Sequence, residues 1–184
     1  MTRELEVKIL NIDPTSMEKK IIELGGKLIG REKQTNTLLD SDTRPIKSYM
    51  DAYLRIREAT DLISGDGFAE LTLKKKLKNS SLRENVELNV RIDDSKTMLT
   101  LLMDLGFNKV SVGIKDRTSY LLKGARLDID VWDQRTYPFP YMEIEVDNEV
   151  MLREIVELLE IIPEDISTLS IVELQDKLKG ELDA

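Results

Sequence analysis

Apolar and polar residues alternate strictly along several short stretches of this chain, and between those stretches apolar residues return at helical spacing. Residues 4–9 read Glu-Leu-Glu-Val-Lys-Ile. In an extended strand Leu5, Val7 and Ile9 fall on one face, and Glu4, Glu6 and Lys8 on the other. Asp13 and Pro14 then make an N-cap and first-turn pair ahead of Met17, Ile21, Ile22 and Leu24, until Gly25 and Gly26 stop the helix. A second strand is predicted over 28–40, followed by a polar loop through Ser41, Asp42, Thr43, Arg44 and Pro45. Alternation returns in Tyr53-Leu54-Arg55-Ile56-Arg57 and, after a turn containing Ser64, Gly65, Asp66 and Gly67, over 71–77, where Thr72, Lys74 and Lys76 share a face.

The pattern then starts again from Arg83. A strand over 86–91 precedes Asp93, Asp94 and Ser95, caps for a helix carrying Met98, Leu99, Leu102 and Leu105 that Gly106 ends. Strands follow over 109–122, 126–131 and 141–146, and helical patterns over 149–161 and 170–178 close the chain. A shift of 81 positions lays Glu6 on Glu87, Ile21 on Leu102, Leu24 on Leu105 and Gly25 on Gly106, an internal duplication of strand, helix and helix stop. The expected fold is therefore α+β in one domain over 1–184, built from two duplicated halves.

The charges on these strands are segregated by sign: Glu4 with Glu6, Arg55 with Arg57, Lys74 with Lys76, Asp128 with Asp130, Glu143 with Glu145. An ordinary solvated face mixes signs, since like charges two residues apart repel, so the segregation favours a binding surface. If the sheet closes into a barrel of about eight strands, the charged faces line its interior and the apolar faces pack outward on the helices. Neighbouring carboxylates call for a cation between them, and the Arg and Lys side chains suit phosphate oxygens. A phosphate chain bridged by Mg²⁺ or Mn²⁺, hard cations that prefer oxygen ligands, satisfies both walls.

Composition narrows the chemistry further. The chain has neither cysteine nor histidine, which excludes disulfides, thiolate or imidazole zinc sites, a Cys nucleophile and a Ser-His-Asp triad. The formal charge of -8 argues against non-specific binding of nucleic acid or an anionic membrane, so an anion must be captured by locally clustered bases. No apolar run approaches the roughly 20 residues of a membrane span, and the first ten residues are too charged for a secretory signal; the cytoplasm is the expected location. Gly25-Gly26-Lys27 lacks the glycine spacing of a P-loop. Arg31, Lys33, Arg91 and Arg126 are expected as solvated surface charges, and Trp132 as packed against a neighbouring strand.

The series Glu4-x-Glu6-x-Lys8, Leu54-Arg55-Ile56-Arg57, Leu71-Thr72-Leu73-Lys74 with Lys76, Arg83 with Glu87, Lys115 with Arg117, Asp128 with Asp130, and Glu143-Ile144-Glu145 resembles the CYTH superfamily of triphosphate tunnel metalloenzymes, which includes class IV adenylyl cyclases and thiamine and inorganic triphosphatases. The resemblance runs from Glu4 to about Glu145. It implies a closed eight-stranded antiparallel β-barrel, open at its ends, with helices outside. It also implies that Lys8, Arg55, Arg57, Lys74, Lys76, Arg83, Lys115 and Arg117 grip the triphosphate, and that Glu4, Glu6, Asp128, Asp130, Glu143 and Glu145 hold one or two metal ions.

Glu6, Glu87 and Lys8 are the catalytic candidates, with either Glu6 or Glu87 orienting the attacking water. The expected activity is metal-dependent hydrolysis of inorganic triphosphate or polyphosphate, extending to nucleoside or thiamine triphosphates. A class IV adenylyl cyclase is the alternative, disfavoured because the cyclases of this group carry a tunnel histidine; a non-catalytic polyphosphate or nucleotide sensor is a third. The partner is a small triphosphate-containing molecule, and a homodimer is left open. With aromatic residues at 5% of the chain, binding energy is expected to concentrate on the phosphates. Repulsion among crowded carboxylates predicts that Glu4→Gln or Glu143→Gln is comparatively harmless to folding while weakening metal-dependent activity.

Overall fold

The computed structural model describes residues 2–77 and 83–182, and of residues 2–4, 83–84 and 181–182 only the backbone. The side chains of Glu4 and Arg83 therefore lie outside the described residues. The fold is α+β: β1 (Thr2–Ile9), α1 (Pro14–Glu23), β2 (Lys27–Asp40), β3 (Ala52–Asp61), β4 (Gly67–Lys76), β5 (Arg83–Ile92), α2 (Ser95–Asp104), β6 (Lys109–Leu122), β7 (Ala125–Trp132), β8 (Tyr141–Val146), α3 (Glu149–Leu158), β9 (Ile166–Ser167) and α4 (Ile171–Leu182). The order strand, helix, strand, strand, strand occurs twice, as β1-α1-β2-β3-β4 and as β5-α2-β6-β7-β8. Both repeats end their helix alike: Gly25 and Gly106 adopt φ of +89° and +96°, backbone that side chains beyond glycine reach only with strain.

All strand pairings are antiparallel, in the order β5-β4-β3-β2-β6-β7-β8-β1-β9, and β1 also pairs with β5. The two long strands β2 and β6 join the halves over thirteen partnered positions from Lys27↔Leu121 to Asp40↔Lys109. Among the described residues nine strands form where eight were expected. The extra one, β9, pairs Ile166 with Ile9 and Ser167 with Lys8, and two residues are too few to show alternation in sequence.

The apolar faces of the strands carry the helices. Val7, Ile9, Leu127, Ile129, Met142 and Ile144 form one core with Ile21 of α1 and with Leu152 and Ile155 of α3, while Leu39, Leu54 and Ile56 form a second with Leu102 of α2. A third cluster sets Leu174 of α4 against Tyr137 and Tyr141. The helix starts follow the capping chemistry read from sequence: Asp13 accepts from the Ser16 amide, and Asp94 from the amides of Lys96 and Thr97. Among the described residues no helix is long and apolar enough to cross a membrane.

The opposite face of β1 is no solvent face. Glu6 and Lys8 are each only 3% exposed, although charged side chains are almost never buried without partners. What surrounds them defines the site.

Candidate functional site

The charged faces of β1 to β8 converge on one cavity of about 200 Å³. Among its described lining residues Lys8, Arg55, Arg57, Lys74, Lys115, Arg117 and Arg126 stand against the carboxylates of Glu6, Glu87, Glu143 and Glu145. The cavity is thus basic inside a chain of net charge -8. Lateral pairing places these groups: Lys8 lies opposite Glu143 and Glu6 opposite Glu145 across β1 and β8, while Arg117 lies opposite Asp130 across β6 and β7.

Arg117 organises one side. Its guanidinium donates to both oxygens of Asp130 at 2.7 Å, to Asp128 at 2.5 Å and to Glu143 at 2.6 Å. A planar fork of five donors is suited to this multiple pairing. Burial alone would lower the Arg117 pKa, but Asp128, Asp130 and Glu143 raise it well above its usual value. Burial likewise opposes ionisation of Glu143, yet Lys8, Arg117, Lys115 and Lys74 hold its carboxyl well below the usual range. Asp130 is also held low, by Arg117 and Lys115 against the cost of burial. Lys115 donates to Asp130 at 2.6 Å; burial and the neighbouring Arg117 nonetheless push its pKa down to about 8.

Lys74 links the carboxylates of the other side, with Nζ 3.2 Å from Glu6 and 2.8 Å from Glu87. Burial would lower its pKa, but Glu6, Tyr53, Glu87 and Glu143 raise it above the ordinary lysine value. Glu87 remains ionised: burial pushes its carboxyl up, and Lys74 with Arg55 brings it below the usual range. Lys8 reaches Glu143 at 3.0 Å, and Asn85 donates to Glu6 at 3.1 Å.

The wall formed by β2, β3 and β4 is different in kind. Arg55 is buried, yet its Nε and one terminal nitrogen have no hydrogen-bond partner. Burial, together with Arg55 and Arg117, pulls the Arg57 guanidinium down to about 10. Two guanidiniums on one strand face, one of them with donors to spare, form a place for an anion.

Glu6, Glu143 and Glu145 each offer an oxygen within 4.8 Å of the others. Three carboxylate oxygens at that spacing fit a hard divalent cation. Asp128 and Asp130, read from sequence beside them, are 0% exposed and already bound by Arg117, Lys115 and Arg126. Lys76 turns toward the start of α4, with Nζ 3.6 Å from Glu173.

Several lining residues escaped the sequence reading. Arg126, expected in solvent, donates to Asp128 at 2.9 Å and to Ser119 at 3.2 Å. Its position two residues from Asp128 on one strand face was the available signal, and the side chain is still 41% exposed. Arg31, Lys33 and Arg91 are exposed as expected. Trp132 packs beside Lys115, donates to the Tyr141 hydroxyl at 2.8 Å and also lines the cavity with Tyr53 and Tyr141. The overall scarcity of aromatic residues therefore did not foretell their concentration here. Asn36 had no charge or motif to mark it, and Gln175 of α4 reaches the cavity from beyond the repeated halves.

Residues 2–168 match the CYTH domain family model, and no curated protein matches the chain. Two Pyrococcus horikoshii proteins share its fold: PH1012, at TM-score 0.75 and 24% identity over 93% of this chain and 98% of that one, and PH1819, at TM-score 0.78 and 23% identity over 95% and 98%. A Hippeastrum protein grouped with adenylyl cyclases and described by its dominant triphosphatase activity aligns at TM-score 0.62 and 16% identity, over 92% of this chain and 91% of its own. At these identities the likenesses speak to fold.

Proposed function

The chain belongs to the CYTH domain family, and from that premise we propose that it is a divalent-metal-dependent hydrolase of a linear triphosphate chain, inorganic or carried on a nucleoside or thiamine, enclosed in a tunnel of eight strands. The pairing of β1 with both β8 and β5 supports the tunnel. The observation that carries the substrate class is the excess of basic over acidic side chains in one cavity of an acidic protein, with unpartnered donors on Arg55.

In this reading Lys8, Arg55, Arg57, Lys74, Lys115 and Arg117 neutralise and orient the phosphates. Glu6, Glu143 and Glu145 hold Mg²⁺ or Mn²⁺, which when bound neutralises phosphate oxygens as a Lewis acid. Asp128 and Asp130 serve by anchoring Arg117 and Lys115 rather than as ligands. Glu6 is given to the metal with Glu143 and Glu145, so Glu87, ionised, lining the cavity and held by Lys74 at 2.8 Å, is assigned to orient the attacking water. The water oxygen bonds to phosphorus, the anhydride P–O bond breaks, and orthophosphate leaves while the water proton passes to the carboxylate or to solvent.

A second reading, adenylyl cyclase, draws on Tyr53, Trp132 and Tyr141, whose rings offer a nucleobase a surface. Incubation with tripolyphosphate, thiamine triphosphate and ATP in Mg²⁺ or Mn²⁺ separates the two. Orthophosphate is expected as the main product, with tripolyphosphate turned over at least as efficiently as ATP. Conversion of ATP chiefly to cyclic AMP and pyrophosphate, with tripolyphosphate untouched, would establish the cyclase instead.

A further inference from the structure

Among the described residues five buried side-chain atoms have no hydrogen-bond partner: Gln34 Oε1, Asn36 Nδ2, Arg55 Nε, Arg55 Nη2 and Thr72 Oγ1. Such atoms are rare in folded proteins, and each costs stability. Here they lie on three adjacent strands and share one face. Thr72 is paired directly across from Arg55, and Asn36 is the diagonal neighbour of Arg55, one inward position from its partner Leu38, close enough for side chains to converge on one ligand. Gln34 Oε1 is an acceptor and cannot hold an anion, whereas the other four atoms can all donate.

The orientation of Asn36 follows from Arg57. Arg57 Nε, which can only donate, lies 3.4 Å from Asn36 Oδ1; the amide oxygen must therefore face Arg57, leaving Nδ2 free. Asn36 and Arg55 line the cavity and Thr72, fully buried, stands directly across from Arg55; an amide N–H, a hydroxyl and a guanidinium fork are donors of the kind phosphoryl oxygens accept.

Building on the triphosphate reading, we propose that Asn36 and Thr72 join Arg55 as a metal-independent cradle for one phosphoryl group, on the wall facing the carboxylates of β1 and β8. The basic wall then holds the substrate before any metal does. Asn36 and Thr72 determine affinity for the phosphate chain, and their polar groups are kept at the expense of stability.

The test is calorimetric titration and thermal denaturation in EDTA, using tripolyphosphate and, separately, orthophosphate, on the wild type, Asn36→Ala and Thr72→Val. Loss of one hydrogen bond to a charged oxygen is expected to weaken tripolyphosphate binding about tenfold or more in each variant. The ligand-free melting temperature of Thr72→Val should hold or rise, because an unsatisfied group has gone, whereas Asn36→Ala also removes the acceptor of Arg57 Nε and should lower it modestly. Orthophosphate binding that weakens in parallel would show that a lone tetrahedral oxyanion suffices. Wild-type affinity for tripolyphosphate in both variants would refute the cradle while leaving the triphosphate reading intact. A lower ligand-free melting temperature with unchanged affinity would refute it too, by making both residues structural. If tripolyphosphate fails to bind the wild type, both readings fall together.

Discussion

Replacing Arg117 with methionine is expected to lower the melting temperature of the metal-free protein by roughly 6–20 °C and to abolish activity. The basis is the set of carboxylates this side chain serves: Asp128, Asp130 and Glu143 all accept its N–H groups at 2.5–2.7 Å. Removing one partner of a buried ion pair strands the other charge, at about 3–5 kcal/mol, and each kcal/mol is worth about 2–4 °C in a chain of this size. Lysine at this position restores the charge without the fork, so Arg117→Lys should recover only part of the loss. A drop of under about 3 °C in Arg117→Met would show that the network is incidental to stability.

The same network sets the acid limit. The Asp130 and Glu143 carboxyls have folded-state pKa values below their ordinary ones, so the folded state holds fewer protons than the unfolded chain near pH 4. Their contribution is complete above the unfolded values of about 3.9 and 4.3 and drains away as pH falls through the lower folded ones. Lys115 gives a pH dependence of the same sign at alkaline pH: depressed to about 8, it carries a charging cost that is relieved as pH rises from there toward about 10.4, so stability again rises with pH. Denaturation of the metal-free wild type across pH 2–5 should steepen below about pH 4, and Arg117→Met should flatten that slope.

Glu143→Gln is expected to reduce metal-dependent turnover by at least about 100-fold and to abolish the rise in melting temperature that Mn²⁺ produces by mass action. Glu143 shares its oxygens among Lys8, Arg117 and the carboxylate cluster with Glu6 and Glu145. Its neutral amide therefore removes charge where a cation needs it, and also leaves Lys8 and Arg117 short of a partner. The variant should be less stable even without metal, contrary to the expectation from like-charge repulsion alone, because in the folded protein cations outweigh the neighbouring carboxylates around Glu143. Glu145→Gln is the companion: a quarter of that side chain is exposed, which screens its ionic contacts, among them one to Arg126 at 3.9 Å. It should lose the Mn²⁺ response with little change in metal-free stability. An unchanged Mn²⁺-induced shift in both variants would remove the metal from Glu6, Glu143 and Glu145.

Local pattern alone determined much of this protein. The alternation of Glu6-Val7-Lys8, Arg55-Ile56-Arg57 and Glu143-Ile144-Glu145 settles which side chains share a face, because that depends only on the two-residue period of a strand. The caps Asp13 and Asp94 and the stops Gly25 and Gly106 act within a few residues of themselves, so the helices and the repeated order were legible too. Segregation of sign marked the charged faces as a binding surface before any neighbour was known.

What each charge does was decided only when the strands paired. Lys8 meets Glu143, and Lys74 meets Glu6, across long separations in sequence, and which residues stand opposite depends on register, a global property of the sheet. For that reason Asp128 and Asp130, equivalent in sequence to Glu143 and Glu145, are committed to Arg117, Lys115 and Arg126, while Glu6, Glu143 and Glu145 gather their oxygens. Asn36 and Thr72 are neutral, and in sequence they resemble any polar strand residue. Only burial beside Arg55, with donors left over, sets them apart, since an unmet hydrogen bond acquires its cost once water is gone.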